Sequence, residues 1–352
     1  FRQVMVEYLV SFIVSILFTY IASRHKSFKF AHILAVIIPI LLVTFRDEKV
    51  GTDTFAYIDI FKSSSEFDSL FDFWAFSRIE IGFSTLVYII EKSGLSLQWF
   101  YFICSFITVV PIYIGCQEMK DKISPAYSMA LYYLMFYHYS FNIVRQSMAM
   151  SLIFFATVWL LKGEKKYAIV TGICALGFHN IASIFALLYF AFIYKDLTRS
   201  AKLKMLLFSI IVFFVAVHLI LVYLGSTIDY YSTTYFQQGK SEMQMSYFVE
   251  MTINFFIVYT AWRRNKQQFE FFVFVAGIVL FSIATSTIGP FFFRVANCLD
   301  ILLLVYIPLA FRSLSNIGKQ LYLGFAMFYW LFVFVYNNSG ETIPYVSVLN
   351  HL

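Results

Sequence analysis
Three arginines, Arg46, Arg145 and Arg294, stand at or near the ends of long apolar runs. A guanidinium stays charged at any relevant pH and grips phosphate oxygens through two parallel N–H bonds. Beside hydrocarbon such a group is costly, so by default it marks a site and calls for an anionic partner. The plainer alternative is a side chain that reaches to the headgroups, or one locked to a neighbouring acid. Three arginines at one membrane face suit a diphosphate, and a lipid-linked diphosphate sugar carries its phosphates at that depth.

Other polar groups gather near these arginines. Arg46 opens the run RDEKVGTDTFAYIDIF, in which Gly51 permits a tight turn and Asp53 or Thr54 caps a short helix carrying Tyr57. The Asp53 carboxylate serves either as that cap or as a base for a sugar hydroxyl. Asn142, Arg145 and Gln146, at i, i+3 and i+4, share one helix face, with Tyr137, His138 and Tyr139 one turn earlier. A polar face at the end of a span should look into a cavity rather than at lipid. His179 and Asn180, in GFHNIAS, form a lone polar pair in an apolar hairpin. That histidine is a satisfied core residue or a base working near neutral pH. Arg294, Asn297 and Asp300 follow the break Gly289–Pro290 and point to roughly one side of a helix; Asp300 then neutralises a neighbour. Glu250 and His218 read as structural.

Several kinds of chemistry are missing from the sequence. There is no GxxxxGK[ST] loop for ATP, no HExxH, no DxD and no GxSxG. The six histidines show no zinc-ligand spacing, and the four cysteines, at 104, 116, 174 and 298, fit neither a zinc site nor a CxxC pair. They read as buried free thiols. No metal and no cofactor is expected. The substrate must arrive already activated, or the protein is a conduit.

The elements that hold these residues follow from composition. Of 352 residues, 61% are hydrophobic and only 13% charged, against roughly 25% charged in an ordinary soluble chain. The 44 Phe, 25 Tyr and 5 Trp could not be hidden behind a polar exterior in a soluble domain of this size. The expected class is all-α, a single integral membrane domain over 1–352. Its solidly apolar runs exclude a barrel of alternating strands.

At roughly 20 residues per crossing, spans are expected near 4–23, 30–45, 97–116, 126–141, 143–161, 167–179, 181–194, 203–224, 247–262, 269–288, 293–311 and 320–337. That is about twelve, several of them short or broken. Most of the Lys and Arg fall in alternate loops, around 24–29, 120–122, 162–166, 195–204, 263–266 and 312–319. Positive-inside makes these loops cytoplasmic. Residues 46–96 and 225–246 are then extracytoplasmic, as are both termini. Within 81–92, Ile81, Phe83, Leu86, Val87 and Ile90 recur at helical spacing in a run too short to span. It reads as an amphipathic helix on the outer leaflet. Residues 167–194 enter and leave on one side and are expected to break near Gly177–Asn180. Tyr230, Tyr231 and Tyr235 read as interfacial aromatics. No cleavable signal peptide is expected, because Glu7 enters the first run and no small-residue cleavage site follows.

The ordered set RDEKVGTDTFAY (46–57), EIGF (80–83), FNIVRQSMAMS (141–151), GFHNIAS (177–183) and FRVANCLDILLLVYIP (293–308) resembles the Wzy/EpsG-type polysaccharide repeat-unit polymerases. The likeness covers about residues 30–310. EIGF departs at one position from the EPG-like start usual at that point. Such enzymes act on O-antigen, lipopolysaccharide or exopolysaccharide precursors at the outer face of the bacterial inner membrane. The resemblance implies a glycosyltransferase that moves a growing glycan from undecaprenyl diphosphate to the non-reducing end of another lipid-linked repeat unit. It carries over Arg46, Asp53, Arg145, His179 and Arg294. Expected substrate contacts are Arg46, Tyr57, Asn142, Arg145, Gln146, Arg294 and Asn297, with Asp53, Glu80 or His179 as the base. The bilayer, the lipid-linked oligosaccharide and a chain-length regulator are the expected partners, and nucleic acid is not one. The competing readings are a membrane O-acyltransferase, a polysaccharide ligase and a non-enzymatic flippase. Against a flippase stands the scarcity of ionisable residues in the cytoplasmic halves of the spans.

Overall fold
A computed structural model of the chain describes residues 5–25, 28–194, 245–286 and 290–351. The expected span 203–224, with His218, lies outside the described residues, as does loop 225–246 up to residue 244. The basic residues Lys195, Arg199, Lys202 and Lys204 fall there too. The protein is all-helical, with 80% helix and no strand among the described residues.

Five helices are long and apolar enough to cross a membrane: α1 (Val6–Arg24), α6 (Leu97–Glu118), α9 (Val144–Leu161), α13 (Lys266–Ala284) and the run Asn316–Tyr336. There are six if Phe292–Asp300 and Leu303–Ser313 count as one broken span. Each of the other expected runs outside 203–224 also falls on a helix, but a shorter or more polar one. α2 (Lys29–Thr44) has 16 residues, about 24 Å at 1.5 Å each, against a core of about 30 Å. The expected span 126–141 divides into α7 (Pro125–Met135) and the single turn α8 (Tyr139–Asn142). The expected break near 177–180 is present: α10 (Lys165–Leu176) stops there, and a 3-10 turn, Asn180–Ser183, leads into α11 (Ile184–Tyr194). Met245–Arg264 (α12) carries Glu250, Arg263 and Arg264.

The chain forms two compact units, 1–183 with 301–352, and 184–300. In the first, α1 packs on α2, α2 on α6, α6 on α9 and α9 on α10; α7 packs on α1 and on the helix Asn316–Trp330. In the second, α12, α13 and α14 (Pro290–Asp300) pack in sequence order, with α11 against α13 and α14.

α1 shows which solvent the fold answers to. Val6, Val10, Ile13, Leu17 and Tyr20 are at least half exposed and recur at i, i+4, i+7, i+11 and i+14. Ser11, Ser15, Thr19 and Ala22, on the opposite stripe, are buried. From Ser15 onward the inward face is small or hydroxylated, as in helices packed within lipid, while Tyr8 and Phe12 are buried on the inward face of the first turns of α1. Ser15 has a further task. Pro39, inside α2, has no N–H for the carbonyl of Ala35 four residues earlier. The Ser15 hydroxyl donates to that carbonyl from the neighbouring helix and lies 2.5 Å from the Tyr133 hydroxyl. α6 and α9 are tied the same way, by Ser151 Oγ donating to the Thr108 carbonyl at 2.6 Å.

Three of the four cysteines are buried; Cys174 is exposed. It shares the outer face of α10 with Ile169, Val170 and Ile173, so the apolar run there marks an outward face rather than a core.

The segment 46–96 is ordered and helical, with α3 (Thr54–Ser63), α4 (Leu70–Ser77) and α5 (Ile81–Lys92). α5 turns Phe83, Val87 and Ile90 into a cluster with Tyr57, Ile58, Phe73, Phe100 and Tyr101. Of the stripe expected to lie on the outer leaflet, Phe83, Val87 and Ile90 pack against protein instead, and Ile81 is 41% exposed. α4 sends Phe73 into the same cluster and leaves Phe71, Trp74 and Phe76 exposed.

Candidate functional site
The site begins where two glycines meet. A Cβ on Gly82, at the start of α5, would lie 2.5 Å from the carbonyl oxygen of Gly177, at the break after α10. With no side chain between them, the backbones touch, and Phe83 N–H donates to the Gly177 carbonyl at 3.0 Å. That bond satisfies one of the open donors of the first turn of α5. It also fixes Glu80, just before α5, against His179, just after Gly177.

Glu80 occupies the N-cap position of α5 but does not cap it with its side chain. One carboxylate oxygen accepts from Arg145 Nη1 at 2.5 Å. The other accepts the Asn180 backbone N–H at 3.0 Å and lies 3.9 Å from His179 Nδ1. The Glu80 side chain is 7% exposed and that of Arg145 25%. Arg145 sits in the first turn of α9, where a cation opposes the helix dipole; the Glu80 anion beside it offsets that cost. His179 Nδ1 accepts the Ile181 N–H at 3.1 Å. In the neutral ring the proton then sits on Nε2.

Tyr57, one turn into α3, packs edge-on against Phe83. Burial pushes its hydroxyl up, and the Arg145 guanidinium beside it pulls it part of the way back. The Asp53 carboxylate acts on the same hydroxyl. Asp53 stands at the N-cap of α3, yet its side chain makes no capping bond. Its carboxylate is half-buried and, among the described residues, accepts from the Thr52 hydroxyl alone, at 3.1 Å.

Asn142 is spent on backbone. Its Oδ1 accepts the Asp53 N–H at 3.3 Å and lies 3.2 Å from the Thr52 hydroxyl; its Nδ2 donates to the Gly340 carbonyl at 2.9 Å. Gln146 is buried and engaged with neighbours. Arg46 is 1% exposed. Its guanidinium stacks over Tyr101 (4.3 Å) and Phe141 (5.2 Å), with Nη1 donating to the Phe141 carbonyl. Its Nε and Nη2 have no hydrogen-bond partner among the described residues.

Of the expected site residues, one unit thus brings together Glu80, Arg145, His179 and Tyr57, with Asp53 and Asn142 alongside and Arg46 enclosed behind Phe141. Arg294 and Asn297 belong to the second unit, on α14, where Asp300 accepts from the Tyr247 hydroxyl at 3.0 Å. Asn297 and Asp300 are buried, and Arg294 is half-buried and has an interaction partner.

Sequence reasoning missed the segment after residue 337. Gly340 and Glu341 carbonyls accept the N–H groups of Thr52 and Gly51, and Val346 accepts that of Asp47. The run Asn337–Gly340 has the composition of a turn. Nothing in it announces a partner some 290 residues earlier.

The chain matches the EpsG family over residues 29–347. No curated protein and no solved structure matches it. The matched stretch takes in every site residue named above and the C-terminal segment that closes over residues 46–53, and the chain belongs to the EpsG family.

Proposed function
We propose that the protein is a polysaccharide polymerase of the bacterial inner membrane, working at its outer face. It transfers a growing glycan from undecaprenyl diphosphate to the non-reducing end of another lipid-linked repeat unit. The acceptor hydroxyl oxygen attacks the anomeric carbon. The bond from that carbon to the diphosphate breaks, and its electron pair leaves with the diphosphate. The hydroxyl proton passes to a protein carboxylate. Arg145 binds the diphosphate and stabilises its growing charge, with Arg46 assisting, and the sequence resemblance gives Arg294 a role of the same kind. Removing one such contact costs about 10²–10³ in rate.

The observation that carries this reading is the enclosed Glu80–Arg145 ion pair, whose guanidinium acts with the Asp53 carboxylate on the Tyr57 hydroxyl, in a chain of this family. Of the two carboxylates among the expected bases, Asp53 is the less engaged, and the reading gives it the proton. Glu80 is committed to Arg145 and to Asn180 N–H, and it holds Arg145 in place until diphosphate competes for it. In the membrane topology that goes with this reading, about twelve spans place the segment 46–96 outside, and the exposed aromatics of α4 and the ends of α5 meet the outer leaflet.

The test is a gel of surface polysaccharide from the native host with this gene deleted. Glycan halted at one repeat unit, with the ladder restored by wild type but not by Arg145→Ala or Arg294→Ala, is the expected result. Wild-type chain lengths with both variants refute the arginine assignment. Full ladders with altered modification point to an acyltransferase, and complete loss of exported repeat points to a flippase.

A further inference from the structure
The C-terminal segment carries no group that the proposed chemistry needs, yet it is bonded to the site at several points. Trp330 Nε1–H donates to His138 Nε2 at 2.9 Å. An acceptor Nε2 leaves the proton of the neutral ring on Nδ1, which then donates to Thr342 Oγ1 at 2.7 Å. The Tyr8 hydroxyl donates to the Thr342 carbonyl at 2.7 Å. His138 and Thr342 are both buried, at 1% and 0% exposure. One helical turn after His138, Asn142 repeats the contact, with its Nδ2 on the Gly340 carbonyl and its Oδ1 on the Asp53 N–H.

The fit around Asn142 leaves no slack. Gly51 and Gly340 both have left-handed backbone, with φ of 100° and 82°. A Cβ on Gly51 would stand 2.7 Å from Asn142 Oδ1, and one on Gly340 would come closer still to Nδ2. The amide is therefore gripped between two turns, one before Asp53 and one in the C-terminal segment. Three residues on from Asn142 in the chain is Arg145. One side chain thus sets the backbone of the proposed base, and its own helical turn leads directly into the helix that carries the proposed diphosphate ligand.

We propose that Asn142 and the segment Gly340–Thr342, pinned by His138, are positioning elements that hold Asp53 at its working distance from Arg145. Asn142 is then no substrate contact. The inference rests on the proposed role of Asp53. A misplacement of about 1 Å in such a constellation costs up to about 10² in rate.

The test uses the purified full-length protein in detergent, with lipid-linked repeat units as substrate. kcat and KM are read separately beside a thermal melt. Asn142→Ala and Thr342→Val should each lower kcat by about 10–100-fold and leave KM within about twofold. Thr342→Ser, which keeps the hydroxyl facing His138, should restore most of kcat. A raised KM with unchanged kcat in Asn142→Ala would make Asn142 a substrate contact and overturn the inference. Wild-type kcat in folded Thr342→Val, or the same loss in Thr342→Ser as in Thr342→Val, overturns it too. Asp53→Asn separates the two claims. If it keeps wild-type kcat, the base assignment itself fails. If it is inactive while Asn142→Ala and Thr342→Val are normal, only the positioning claim fails.

Discussion
The ion pair between Glu80 and Arg145 is the most exacting claim about the site, because its strength follows from its geometry. The two side chains meet at 2.5 Å, with Glu80 nearly enclosed and a quarter of Arg145 exposed. Unit charges about 4 Å apart attract by about 4 kcal/mol at an effective dielectric of about 20. Breaking an enclosed pair by removing one partner costs about 3–5 kcal/mol, since the other charge is left unpaired. The exposed quarter of Arg145 lets water take up part of that loss, which brings the expectation to about 2–3 kcal/mol. Glu80→Gln is the cleanest perturbation, because its carbonyl oxygen can still accept the Asn180 N–H. Arg145→Met removes the other charge, and the double variant closes a thermodynamic cycle. Unfolding of the purified protein in mixed micelles should show each single variant destabilised by about 2 kcal/mol and the double scarcely worse than either. That gives a coupling of about 2 kcal/mol. A coupling below about 0.5 kcal/mol, the level of an exposed pair, would refute the enclosed bridge and with it the role given to Glu80.

Three further outcomes follow from contacts elsewhere in the same unit. Gly82→Ala pushes a methyl group into the Gly177 carbonyl and should cost about 1–3 kcal/mol in the same unfolding assay; an unchanged midpoint would mean the two backbones do not touch. Ser15→Ala strands the Ala35 carbonyl freed by Pro39 and should cost about 1–2 kcal/mol, with most of it recovered in Ser15→Ala/Pro39→Ala, where residue 39 regains its N–H. In detergent, N-ethylmaleimide should label Cys174 within minutes and spare Cys104, Cys116 and Cys298; mass spectrometry that finds Cys104 labelled first in folded protein would contradict the packing of α6.

Helix class and most helix positions were legible in the sequence because lipid imposes a simple rule: long apolar runs must be helical, since no other spanning element satisfies its own backbone. The number of crossings was less legible. Apolarity over 126–141 says that the chain is buried, not that one helix continues through it; Tyr132 to Tyr137 turn inward together and the helix stops at Met135. The same ambiguity exposed Cys174, since in lipid an apolar face looks alike whether it meets protein or hydrocarbon. α5 was found by its period, but not its destination. Phe83, Val87 and Ile90 would suit a membrane surface as well as the aromatic cluster they enter.

The site divides along the same line. Arg145 could be named from charge at a span end and His179 as a lone polar group in an apolar hairpin, because such groups are rare in this chain; Glu80 entered with the EIGF motif of the resemblance. That Glu80 joins the other two could not be read, since it depends on the contact of Gly82 with Gly177 across 95 residues. For Asp53 the sequence offered two uses of one carboxylate, a helix cap or a base. Asn142 supports the second, which the proposed mechanism uses. Its amide oxygen takes the Asp53 N–H, and the turn at Gly51 is held from outside by the Glu341 carbonyl. The end of α3 is therefore fixed without the Asp53 side chain, whose carboxylate, among the described residues, accepts from Thr52 alone. A carboxylate relieved of its structural task is the one that can be given to a substrate proton. In this fold the relief comes from a segment, Gly340–Thr342, that carries no charged group in the proposed chemistry.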